Sequence, residues 1–145
     1  MSVVSETPAA PPHVAAAHFA RRLELETDCW DVHAATRDGD ADFVLLDVRT
    51  PALYARGHVP GAVSLPRREI DAGRLAVWPM DTLFVVYCAG PHCNGADKAA
   101  LALAGLGRRV KLMIGGVTGW LDEGLALEPS PSPLAEAAAA GQRQG

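Results

Sequence analysis

The chain has 145 residues, of which 49% are hydrophobic and 21% charged, and its formal net charge is −4. That length suits one domain able to bury a real core, and the acidic balance excludes the basic field that nucleic-acid binding needs. No apolar run of about 18 residues exists, so no membrane span is expected. The N-terminus lacks a basic segment followed by an apolar stretch, so no secretory signal is read there. Three cysteines are too few for a disulfide framework and point to a reducing, cytoplasmic setting.

Residues 1–13 are rich in Ser, Thr, Ala and Pro without periodicity, and a flexible N-terminal arm is expected there. Ala15 to Arg22 predicts a short helix, and Leu23 to Glu26, which alternates apolar and acidic residues, predicts an edge strand. Asp28 and Asp31 supply N-caps for a helix over Val32 to Thr36 that stops at Asp38-Gly39. Phe43 to Val48 is a near-continuous apolar run, the mark of a strand covered on both faces. Pro51 to Ala55 reads as one helical turn, and Ala62 to Leu65 as a short strand. Leu83 to Tyr87 is the second apolar strand, β-branched and aromatic. Gly95 to Leu106 places Ala96, Ala99, Ala100 and Leu103 at helical spacing and ends at Gly107. Arg109 to Ile114 makes a last strand, and Gly119 to Asp122 opens a final short helix. Residues 129–145 are a Pro/Ser break before an Ala-rich stub, expected as a flexible tail. The domain is therefore expected over 14–128, with strands alternating with helices in an α/β fold.

In such sheets ligands bind beyond the carboxyl ends of the strands. Two strand ends stand out, Asp47-Val48-Arg49 and Tyr87-Cys88. Cys88 opens the segment CAGPHCNGADKAAL, a loop with two glycines and a proline that runs into a helix. Backbone N–H groups and the positive end of that helix would favour the Cys88 thiolate, the nucleophilic form. The plainer alternative is an inert buried cysteine at a strand end.

Three segments, in order, resemble the rhodanese-like sulfurtransferase domains. LLDVRTPALYARGHVPGAVSLP is similar to that family's Asp-Val-Arg strand end and its Gly-His-Ile-Pro-Gly-Ala turn. VVYCAGPHCNGADKAA is similar to the catalytic strand, loop and helix, and GGVTGWLDEGLALE to the C-terminal Gly-Gly, Trp and Gly-Leu-Pro segment. The resemblance implies a single rhodanese-like domain with a five-stranded, mostly parallel sheet and helices on both faces. It implies that Cys88 takes a sulfane sulfur from thiosulfate or a persulfide donor, and that cyanide or a thiol then removes it. A sulfur-donor protein is a conceivable partner; no nucleic acid, membrane, metal or organic cofactor is implied. The loop residues Ala89, Gly90, Pro91, His92, Cys93 and Asn94 would cradle the persulfide with their N–H groups. Asp47 and Arg49 would brace the surrounding loops, His58 would be a turn histidine, and Trp120 would pack.

The chain departs from the family inside the loop. Many active members carry an arginine five positions after the cysteine, where this sequence has Cys93. His92 and Lys98 are candidates to replace part of that anion clamp, so thiosulfate is expected to be a poor donor. Arg67 and Arg68 read as a solvated pair or as attractors of an anionic donor. Cys93 has two readings: a resolving thiol that attacks an oxidised or persulfidated Cys88, or a packing residue at the helix start. A metal site of Cys88, His92 and Cys93 is disfavoured by crowding and the want of a fourth ligand, and Cys29 reads as structural. A phosphatase or arsenate reductase needs an arginine six residues after the cysteine, where Asn94 stands. A thiol redox switch and a non-catalytic interaction module remain as alternatives.

Overall fold

In the computed structural model, which describes residues 1–129, the two apolar runs lie side by side in the middle of one sheet. They are β2 (Val44–Asp47) and β4 (Leu83–Tyr87). With β1 (Glu26–Thr27), β3 (Val63–Ser64) and β5 (Arg109–Met113) they form a sheet in the order β1-β5-β4-β2-β3. All four pairings are parallel.

Six α-helices are described: α1 (Pro12–Leu25), α2 (Cys29–Arg37), α3 (Pro51–Arg56), α4 (Ala72–Leu75), α5 (Gly95–Gly105) and α6 (Gly116–Asp122). They cover both faces, because alternate strand residues point to opposite sides. On one face Leu46, Phe84 and Val86 pack on Leu75 of α4 and on Ala96, Ala99 and Leu103 of α5. On the other, Leu45, Val85 and Tyr87 pack on Cys29 and Val32 of α2 and Trp120 of α6. Burial of a side chain such as Phe84 or Leu46 contributes about 1.5–3 kcal/mol, which is why an uninterrupted apolar strand is stable only between two helical layers.

The strand order positions the site. From β2 the chain moves outward to β3, whereas from β4 it moves the opposite way to β5. The connections therefore diverge between β2 and β4 and leave a crevice at their carboxyl ends, the place where parallel α/β sheets bind ligands. Asp47 ends β2 and Cys88 follows β4 at that crevice.

Several sequence expectations are corrected. The edge strand expected over Leu23 to Glu26 is mostly helix: α1 continues to Leu25, and only Glu26 and Thr27 pair, with Leu112 and Met113. The alternation of Leu and Glu there also fits a helix, and none of the α1 residues is buried. Helix α2 begins at Cys29, one residue after the Asp28 N-cap, whose carboxylate accepts from the Asp31 N–H at 2.8 Å. Cys29 is thus inside the helix rather than before it. Helix α6 starts at Gly116, three residues ahead of the expected Gly119. The sequence reading missed a 3₁₀ turn over Arg67–Glu69 and the short α4, capped by Asp71. All but the first residue of the expected C-terminal tail lies outside the described residues.

Candidate active site

Cys88 sits where β4 gives way to its loop, and it is buried, at 8% exposure. The loop then turns back on itself. The Cys93 N–H donates to the Gly90 carbonyl at 3.0 Å, which closes a four-residue turn with Pro91 at the position where proline's fixed φ is favoured. The curl brings the Cys88 and Cys93 Sγ atoms to 2.7 Å. Both are free thiols. Gly95, the first residue of α5, donates its N–H to Cys93 Sγ at 3.5 Å. A Cβ on Gly95 would stand 2.9 Å from Cys88 Sγ and 3.4 Å from Cys93 Sγ, so the sulfurs occupy the space that glycine leaves open.

A second glycine holds the loop from behind. Gly116 has φ +57°, and a Cβ there would collide with the backbone of Cys88 to Gly90. Its absence lets α6 approach. The Val117 N–H donates to the Cys88 carbonyl at 3.1 Å, and the Thr118 N–H to that of Ala89 at 3.0 Å. The Gly115-Gly116 pair therefore fixes the loop's height above the sheet.

The electrostatics differ from the sequence expectation. Burial and the hydrogen bond to Cys93 push the Cys88 thiol above its ordinary value. The contact with Cys88 and the Gly95 N–H pull the Cys93 thiol below its own. The contact and the Gly95 N–H thus favour the thiolate on Cys93 over that on Cys88. The expected cradle of N–H groups from Ala89 through Asn94 is also smaller. Pro91 has no N–H, the Cys93 N–H is spent on Gly90, and the groups that act on the sulfurs belong to Ala89 and Gly95.

Two cavities meet at the sulfurs. A cleft of ≈ 580 Å³ lies in front, between the β2 and β4 ends, and Cys88, Ala89, Cys93, Asn94 and Gly95 form its floor. Its walls bear Arg49, Arg67, Arg68 and Lys98 and no carboxylate. Arg49 is neutralised by Asp47 at 2.7 Å, while Arg67, Arg68 and Lys98 have no ion-pair partner among the described residues. A smaller cavity of ≈ 230 Å³ lies behind the loop, lined in part by Gly90, Pro91, Cys93, Glu26 and Asp97. His92 lines neither cavity and is exposed, so of the two residues suggested to replace the arginine clamp only Lys98 reaches the cleft.

Asp47, Arg49 and His58 are built into the frame. Asp47 is fully buried and accepts from Arg49 Nε and Nη2, from the Arg49 N–H and from the Tyr87 hydroxyl at 2.7 Å. Arg49 Nη2 also donates to the Gly57 carbonyl at 2.7 Å, and Tyr87 accepts from the Val59 N–H. One carboxylate thus ties β2, β4 and the turn around His58 together. His58 stacks on Tyr54, with ring centroids 3.8 Å apart, and its Nδ1 lies 2.9 Å from the Tyr54 carbonyl. It does not line either cavity at Cys88. Cys29 is buried beneath α6, and burial together with Asp28 pushes its thiol up to about 11, an inert state. No sequence signal marked the Tyr87 hydroxyl link, or buried Arg108, which donates to the Leu75, Trp78 and Pro79 carbonyls and secures the connection into β4.

The model of the rhodanese-like domain family matches residues 31–123, and the chain belongs to that family. Its relatives are varied. An HTH-type transcriptional regulator from Mycobacterium tuberculosis is 37% identical over 87 residues, 60% of this chain but 38% of the regulator, so the chain spans well under half of that protein. A sulfurtransferase from Allochromatium vinosum is 36% identical over 86 residues, covering 59% of this chain and 78% of that one. The crystal structure of the BH2092 protein from Bacillus halodurans superposes with a TM-score of 0.79 at 35% identity, over 83% of this chain and 88% of the other. The chain is therefore a rhodanese-like domain with sulfurtransferases among its relatives. No helix among the described residues is long and apolar enough to cross a membrane.

Proposed function

We propose that the protein is a sulfurtransferase in which Cys88 accepts a sulfane sulfur, holds it as a persulfide and yields it to a thiophilic acceptor. The observation that carries this reading is a cysteine at the β2/β4 crevice under a cleft with no acid in its lining, walled by three cations that have no ion-pair partner among the described residues. On a chain of net charge −4 that local positive field selects an anionic donor.

As the donor enters, Cys88 loses its proton to solvent in the cleft, and its thiolate attacks the donor's sulfane sulfur. With thiosulfate, the sulfur–sulfur bond breaks and its electron pair leaves with sulfite; with a persulfide, the donor thiolate leaves. The Ala89 N–H and the nearby α5 N-terminus stabilise the new persulfide anion. Cyanide or a thiol then attacks the outer sulfur and regenerates Cys88. Lys98, Arg67 and Arg68 hold the donor's charge. None reaches into the loop as an arginine at position 93 would, so a persulfide, on a small molecule or a donor protein, is the better donor. A reducing cytoplasm suits a cycle that begins from a free thiol.

Mass spectrometry after donor treatment tests the reading. The wild type should turn over, and Cys88→Ser should neither gain sulfur nor transfer it while keeping its circular dichroism. Turnover that survives in Cys88→Ser and dies in Cys93→Ser would put the nucleophile on the other thiol.

A further inference from the structure

We propose that the Cys88 persulfide is resolved from within. Cys93 attacks Cys88 Sγ, a Cys88–Cys93 disulfide forms, the sulfane sulfur leaves as hydrosulfide, and an external dithiol resets the site. The protein then acts as a sulfide-releasing persulfide reductase as well as a transferase. The inference rests on sulfur acceptance by Cys88.

The loop geometry supports this step. The two Sγ atoms are already at 2.7 Å, and a disulfide requires a further approach of only about 0.7 Å. The Gly90–Cys93 turn enforces the encounter, since the Cys93 N–H on the Gly90 carbonyl closes the curl around Pro91. Proline thus favours the approach of the two sulfurs. Gly95 keeps the space between them and the helix free of a β-carbon. A thiol held in contact with its target competes at an effective concentration far above that of a dissolved thiol. It therefore competes with acceptors that must diffuse into the cleft. Cys93 is also less buried than Cys88 and lines both cavities, so an incoming dithiol can reach its sulfur.

The step balances. Cys93 gives its proton to the outer sulfur of the persulfide anion and attacks as the thiolate. As Cys93 Sγ bonds to Cys88 Sγ, the bond from Cys88 Sγ to the sulfane sulfur breaks. Its electron pair leaves on that sulfur, which already holds the Cys93 proton and departs as HS⁻. The two protein sulfurs are oxidised to a disulfide while the sulfane sulfur is reduced to hydrosulfide. The dithiol reductant then returns both cysteines to thiols and becomes a disulfide itself.

The test uses the full chain, reduced and freed of thiols, with glutathione persulfide as donor. It reads intact mass and released sulfide together. The wild type should lose two hydrogens and release one sulfide per chain, then stall until a dithiol is added. Cys93→Ser and Cys93→Ala, each checked for folding by circular dichroism, should instead gain one sulfur and release none. A wild type that gains and keeps a sulfur, or forms the disulfide without sulfide, overturns the proposal. Variants that fold but gain no sulfur refute acceptance by Cys88 itself, a different failure from that of the resolving step.

Discussion

Strands β2 and β4 are paired in register, Asp47 beside Tyr87, and both end at the same crevice. Their ends are nevertheless built to opposite purposes. At the β2 end the charged groups are bonded to each other and to the frame: Asp47 pairs with Arg49, and further bonds go to Tyr87 and Gly57. At the β4 end the sulfurs hold only each other and two backbone N–H groups, and cavities open on both sides. A saturated network resists change, and an unsaturated one can bond to something new. Family motifs mark both ends equally, so the bonding around each residue, rather than its place in a motif, separates brace from reagent.

The largest expected effect breaks that contrast at the brace. Asp47→Asn leaves the Arg49 guanidinium buried without its counter-charge, and about 3–5 kcal/mol of stability should be lost, measured by urea denaturation. Cys88→Ser should cost about 1 kcal/mol or less, because its hydroxyl keeps hydrogen-bond partners. If the two variants lose similar stability, the division between the ends fails. A smaller effect sharpens the reagent end. Cys93→Arg restores a cation within the loop, and the KM for thiosulfate should fall about tenfold, equivalent to roughly 1.4 kcal/mol. A folded variant with unchanged or weaker thiosulfate use would mean that the wall cations already suffice.

The smallest effect concerns protons. Cys88 is held above its ordinary value by burial and by its hydrogen bond with Cys93. Cys93→Ser removes that sulfur contact, so the Cys88 thiolate should form at lower pH. The pH midpoint for alkylation of Cys88 by iodoacetamide should therefore move down relative to the wild type. A midpoint that stays or rises would show that the thiol–thiol contact does not govern Cys88. In the wild type, Cys93 should be alkylated first as pH rises, because its thiol is the one pulled down.

Much of the frame was legible in the sequence because local pattern and tertiary demand agree there. Leu83 to Tyr87 is the whole of β4, and Phe43 to Val48 contains β2 with one residue to spare at each end. An unbroken apolar run has no other stable home in an α/β layer fold. Paired glycines after a strand fit a close backbone contact, and Gly116 makes one with the loop. The edge was less legible. Leu23 to Leu25 fits either period, and β1 keeps only the two residues that β5 pairs.

The sequence by itself determined the alternation of elements, the family, and the presence of Cys88 and Cys93 on one glycine-bearing loop. All of these follow from apolar periodicity and from motifs a few residues long. The tertiary structure decided which thiol sits on the helix N-terminus, and hence which of them gives up its proton first. It also decided that Arg67, Arg68 and Lys98 share a cleft with Cys88 while His92 points elsewhere. Such outcomes depend on burial and on distances between residues remote in the chain. A charge's energy is set by the low-dielectric surroundings and neighbours that folding assembles around it, and no local pattern carries that information.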